Sequence, residues 1–269
     1  SLRRQRQMCI RDSPAPCVEV TREGGVTTLT LHGHKSVNLI SRAMMDDLMS
    51  VGEQLRNDAE LRLMVVTGAP DKGFIGGADI HEMAALDSHT AREFITQLHA
   101  ACDLFRTLPV PSIARIDGLC LGAGMELAAS CDLRVGSSAS RYGMPEVQVG
   151  LPSVIEARLL PGLIGWGHTR ELLYRGHLID AQEAERIGFL QAVAPGTALD
   201  AAMAPIIADI LRAEPAAIRT QKRLIESWAE PKVTTDIHHS INAFAETFQT
   251  DTPNRRLRGF FSSRNKRPL

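Results

Sequence analysis

The chain has 269 residues, 44% of them apolar, which is enough for one large domain with a real core and excludes a small disulfide-stapled scaffold. Its 30 Lys and Arg nearly balance its 31 Asp and Glu, for a formal net charge of −1. That balance argues against nucleic acid or an anionic membrane surface as the main partner.

Residues 1–13, SLRRQRQMCIRDS, are basic and polar and lack the apolar centre of a secretory signal. An arginine-rich opening suggests a transit peptide, but this one is short. It reads as an appended tag, outside the fold. A folded core is expected over 14–200 and a helical region over 201–269. No apolar stretch approaches the ~18–20 residues that span a bilayer. Cys9, Cys17, Cys102, Cys120 and Cys131 have no ligand-like spacing. They read as reduced thiols, so the expected compartment is the cytoplasm, or the mitochondrial matrix in a eukaryote, and no metal site is expected.

From Cys17 to His32, two β-rich runs flank Glu23-Gly24-Gly25 and predict a hairpin. Ser41 predicts a helix cap ahead of Met44, Met45, Leu48, Val51 and Leu55, which recur at helical spacing. Arg62–Gly68 predicts a strand, followed by a glycine-rich loop to Asp79. Thr90 with Glu93 predicts a capping box for a helix ending near Thr107. Two further strands are expected at Pro111–Gly118 and Cys131–Ser137. Alternation of strands and helices to about residue 150 predicts a layered α/β core. Beyond Pro161 the pattern turns helical, with stops at Gly176 and Gly188 and punctuation by Pro205 and Pro215. The tail is basic and carries Arg255, Arg256, Arg258, Phe260, Phe261 and Lys266.

The stretch GLCLGAGMELAASCD, Gly118–Asp132, places one carboxylate, Glu126, inside an apolar run. Burial of such a group is costly unless the site uses it. Pairing with an arginine such as Arg134 is the alternative. The glycines at 118, 122 and 124 follow neither G-x-G-x-x-G nor a P-loop, so nucleotide binding is disfavoured. A second loop of the same kind runs from Gly73 to Asp79. Two such loops can each aim one backbone N–H at a single oxygen, the minimum construction for an oxyanion hole, or they are two ordinary tight turns.

KGFIGGADIHEM, GLCLGAGMELAASCDLRV and YGMPEVQVGLP together resemble the crotonase superfamily, specifically its enoyl-CoA hydratase/isomerase group. The resemblance runs from about Val18 onward and includes HGHKSVNLIS and AFAETFQTDTPNRRLRGFF. It implies a spiral of ββα repeats with C-terminal helices used in trimerisation, and a homotrimer or a hexamer of paired trimers. It implies an acyl-CoA substrate with no separate cofactor. The oxyanion donors fall on the amides of Ala78 and Ala123, and the paired acids on Glu126 and Glu146. Gly77, Asp79, Ile80 and Gly122 fall in the thioester-binding loops. Lys35 matches a CoA-contacting stretch, and Lys72 lies near the first loop. His81 stands where the family frequently has lysine.

Two carboxylates sharing one water favour hydration of a conjugated thioester; one alone would favour double-bond isomerisation. Related isomerase or dehydratase chemistry is the alternative, with a non-catalytic RNA-binding or assembly role behind it. A Ser/His/Asp peptidase has no recognisable nucleophile–base motif. The segment after Glu146 departs from the family pattern. Val154, Ile155 and Glu156 stand where glycines are common, which predicts a reshaped pocket. Glu156 is expected either as a third functional carboxylate or as an acid favoured by a helix dipole.

Overall fold

The computed structural model describes residues 17–33, 36–70, 72–228 and 233–264. Strands β1 (Val18–Glu23) and β2 (Val26–Leu31) form the expected antiparallel hairpin. Its turn puts Gly24 and Gly25 at φ 56° and 86°, a conformation that glycine adopts without steric cost. Helix α1 (Arg42–Arg56) starts where expected: the Ser41 side chain accepts the Met44 N–H. Strand β3 (Leu63–Gly68) leads into the first glycine loop and a short helix, α2 (Ile80–Met83).

Helix α3 spans Ser88–Thr107. Its capping box differs from the expected one. Asp87 is the cap: its carboxylate accepts the His89 and Thr90 N–H groups, and the Thr90 hydroxyl accepts the Asp87 N–H. Aspartate is as strong a cap as serine, so the helix begins one turn earlier than Thr90 and Glu93 suggest.

The next stretch repeats a two-strand step. Strand β4 (Ser112–Ile116) is followed by β5 (Leu119–Leu121) and helix α4 (Ala123–Ser130). Strand β6 (Leu133–Ser137) is followed by β7 (Arg141–Gly143) and the 3₁₀ turn η1 (Glu146–Val149). A second 3₁₀ turn, η2 (Ile155–Leu159), enters α5 (Leu160–Arg175), which is kinked at Gly165. Then come β8 (Leu178–Asp180), α6 (Ala181–Arg186) and β9 (Ala192–Ala194). Helices α7 (Leu199–Arg212), α8 (Pro215–Trp228), α9 (Val233–Thr247) and α10 (Thr252–Arg264) complete the described chain.

The large sheet has the order β1-β2-β3-β4-β6-β9 and is parallel from β2 onward; the small one has the order β5-β7-β8. The β4–β5 and β6–β7 steps each give one strand to the large sheet and the next to the small one. Ile75, which bridges Cys120, extends that pattern to the step after β3. This is a spiral of ββα units in a mixed α/β fold.

Alternation along β3 splits the core. Met64 and Val66 join the main core with α1, α3 and α4, while Leu63 and Val65 face α7 through Leu199 and Met203. Each such side chain contributes about 1.5–3 kcal/mol when fully buried. That burial carries α7 through Pro205, which lies inside the helix instead of ending it. Pro215 does open α8, a position that suits proline. All four cysteines among the described residues are buried. Among those residues no helix is long and apolar enough to cross a membrane.

Candidate active site

The two glycine loops run side by side. Phe74 N donates to Asp117 O (2.6 Å), Ile75 N to Leu119 O (2.8 Å) and Leu121 N to Ile75 O (3.0 Å). Gly124 allows this approach: a Cβ there would stand 2.5 Å from the Ile75 carbonyl oxygen. Beyond the paired region, Ala78 and Ala123 each follow a glycine at positive φ, Gly77 at 127° and Gly122 at 51°. Among the described residues no acceptor takes the amide N–H of Ala78 or of Ala123. Ala123 is the first residue of α4, where the helix dipole adds positive potential.

Glu126 lies one turn into α4 and is 4% exposed; its own N–H donates to Gly122 O. Its Oε1 accepts the Ala157 N–H at 3.3 Å. Glu146 opens η1 and accepts the Ser153 hydroxyl on Oε2 at 2.8 Å. Its other oxygen would stand 2.5 Å from a Cβ on Gly122, so only glycine lets that carboxylate lie against the entrance of α4. The structure thus brings Glu126, Glu146 and the Gly122–Ala123 turn together.

Burial raises the Glu126 carboxyl well above the ordinary carboxylate range, and the charges of Glu146 and Glu156 raise it further. The Ala157 and Val154 amides oppose that shift. Burial also raises Glu146, against the hydrogen bonds from its own amide and from Ser153. The two acids titrate as a pair that does not readily ionise twice.

Arg134 is not the partner of Glu126. Its guanidinium donates to the carbonyls of Phe189 (2.6 Å), Cys131 (2.7 Å) and Ala128 (3.3 Å), which tie β6 to the end of α4 and the loop before β9. The Ser153 hydroxyl donates to Glu146 and not to a histidine.

Glu156, in the first turn of η2, is 0% exposed, and its Oε1 lies 2.6 Å from His99 Nδ1. Burial raises its pKa, while the hydrogen bond and charge of His99 lower it. For His99, burial is outweighed by the Glu156 hydrogen bond and charge together with Asp103, so its pKa rises. His99 was not among the expected site residues. It stands four residues after Ile95 and three before Cys102, both buried, so helical spacing already puts it on the apolar face of α3.

The Asp79 carboxylate caps α2 by accepting the His81 N–H, and Ile80 packs against the main core. Lys72 donates its ammonium to Gly33 O, joining the first glycine loop to the segment after β2. Lys35 and Lys266 lie outside the described residues, as does the Phe261 side chain. Between η1 and α10 a cleft of about 320 Å³ is lined by Gln148, Val149, Arg255, Arg256, Gly259 and Phe260.

A sequence profile described as enoyl-CoA hydratase/isomerase matches residues 21–267. Short-chain-enoyl-CoA hydratase of Clostridium acetobutylicum is 30% identical over 248 residues, covering 92% of this chain and 95% of that protein. Mitochondrial methylglutaconyl-CoA hydratase of Rattus norvegicus is 29% identical, covering 91% and 78%. The crystal structure of an enoyl-CoA hydratase/carnithine racemase from Magnetospirillum magneticum superimposes with a TM-score of 0.76 at 29% identity, over 80% of this chain and 82% of that one. The chain belongs to the enoyl-CoA hydratase/isomerase family.

Proposed function

We propose that this chain is an enoyl-CoA hydratase, adding water across the 2,3 double bond of an enoyl-CoA thioester. The observation that carries the reading is the placement of a buried acid, Glu126, and a half-buried one, Glu146, beside a turn that offers an unused amide. The Ala78 and Ala123 amides hold the thioester oxygen as it gains charge. Removing one such donor typically costs about 2.7–4 kcal/mol of transition-state stabilisation.

The acids share one water. Glu126 takes its proton as the oxygen attacks Cβ, and Glu146 delivers a proton to Cα. The pair holds one proton between its two carboxyls, which leaves Glu126 to act as base while Glu146 acts as acid. A double-bond isomerase needs only one of these acids, which is why hydration is preferred. Lys72, Arg255 and Arg256 are assigned to the CoA side of the site, with Gly77, Asp79, Ile80 and Gly122 shaping the thioester loops. No separate cofactor is required by this chemistry.

The chain is further proposed to assemble as a trimer or paired trimers. Val147, Trp166, Tyr174 and Leu178 are large exposed apolar side chains on η1, α5 and β8.

A panel of 2-enoyl-CoA thioesters, including branched, aromatic and carboxylated ones, tests the reaction by loss of the conjugated absorbance. Hydration of at least one is expected. If none reacts while the esters still bind, the hydratase assignment fails. Product analysis with a 3-enoyl thioester separates hydration from isomerisation.

A further inference from the structure

The segment Val154–Ala157 is held unusually. Ile155 sits at φ 39°, the one non-glycine residue at positive φ among the described residues. A β-branched side chain disfavours that region, so surrounding contacts must impose it. Three contacts do so. Ile155 N donates to Ser240 Oγ of α9 at 2.8 Å, the Ala157 N–H is shared between Val154 O (2.9 Å) and Glu126 Oε1 (3.3 Å), and Glu156 reaches His99 on α3.

The Glu156–His99 pair is the costly member of this set. Glu156 is fully buried, and its Oε2 has no hydrogen-bond partner among the described residues. Buried ion pairs are rarely more stabilising than apolar side chains of the same volume, so stability alone does not account for one here. Glu156 is bonded in sequence to the residue whose amide holds Glu126. Fixing Glu156 against α3 therefore fixes that amide.

We propose that His99 and Glu156 form a positioning pair, whose buried contact pins the Val154–Ala157 turn and so aims the Glu126 carboxylate. This deepens the hydratase reading and rests on it for its kinetic test. Neither residue needs to touch the reacting atoms.

The test compares His99→Ala, Glu156→Ala and Glu156→Gln in the full chain, with melting temperatures measured alongside. Misplacing a catalytic group by about 1 Å costs about a hundredfold in rate. Both alanine variants are expected to lose kcat on that scale while KM stays within about twofold. Glu156→Gln keeps a carbonyl acceptor for Nδ1 and is expected to recover most of the loss. A glutamine variant as poor as the alanine one would overturn the proposal, because charge rather than position would then matter. A rise in KM alone would overturn it in favour of substrate recognition. All three variants within about twofold of wild type would also overturn it, leaving packing alone. If Glu156→Ala does not fold, His99→Ala, whose side chain is 24% exposed, carries the same comparison.

A substrate-free arm separates this proposal from the hydratase reading. If the wild-type chain hydrates nothing, that reading fails on its own. The pair is then judged by the carbon resonance of the Glu126 carboxyl. Both Glu156 variants remove the charge that acts on Glu126, so the resonance should move further in Glu156→Ala than in Glu156→Gln; equal movement in the two would overturn the positioning role.

Discussion

Glu126 sets the central conflict at the scale of single residues. An acid 4% exposed costs stability at neutral pH, because burial favours its protonated form. Its folded pKa is raised above the unfolded one. The stability linked to that group is therefore fully present below the unfolded value and is lost as pH rises through the folded one. Glu126→Gln should consequently melt several degrees above wild type at pH 7–8, with the gain disappearing below about pH 4. Thermal melts across that range check it; a glutamine variant less stable at neutral pH would contradict the sign. The same reasoning applies to rate. Activity should fall on acidification at a pH above the ordinary carboxylate range, as the pair gains its second proton, and fall again in alkali as it loses its last. A kcat/KM profile with its acid limb near an ordinary glutamate pKa would refute the raised pair.

Part of the candidate site at this scale was legible in the sequence. Glu126 announced itself as a lone acid in an apolar run, whereas the glycine loops alone left an oxyanion hole and two tight turns both open, and Ala78, Ala123 and Glu146 were named only through the family resemblance. His99 did not announce itself, because its partner is 57 residues away and only packing of α3 on η2 joins them. Arg134 was equally opaque: its choice of three carbonyls over a carboxylate depends on where β6 meets the end of α4.

At the scale of elements, α4 matters because its first amide is free. Proline is tolerated at the first position of a helix, so Ala123→Pro should delete that one N–H and leave α4 intact. The expected result is a loss of about 10²–10³ in kcat with an unchanged circular dichroism spectrum. A variant retaining full kcat would remove Ala123 from the oxyanion role. Long elements with caps and periodic faces, such as α1 behind Ser41, could be read from the sequence. The strands β5, β7, β8 and β9 could not. Each has three residues, too few for a period-2 pattern, and each is specified by its sheet neighbours rather than by its own side chains.

Across the whole molecule, the C-terminal helices are anchored through buried polar contacts as well as apolar ones. Lys222 on α8 is 4% exposed and donates to Asp132 Oδ2 (2.5 Å) and to Phe105 O (3.0 Å). Asp132 also accepts the Ser112 N–H and hydroxyl, so one carboxylate joins α8 to the start of β4, while Lys222 and Ser112 reach the end of α3 by donating to Phe105 O. Removing one partner of such a pair strands the other, so Lys222→Met should destabilise the fold by about 3 kcal/mol in denaturant titration. A change within about 0.5 kcal/mol would show that this anchor is dispensable. The anchor bears on function because α3 carries His99 and α4 ends at Ser130, two residues before Asp132.

The most direct test of the account is the hydration assay run on wild type, Glu126→Gln and Glu146→Gln with the best thioester of the panel. The account predicts that each single substitution removes about 10²–10⁴ of the rate while thioester binding persists. Full activity in either variant would contradict the shared-water mechanism.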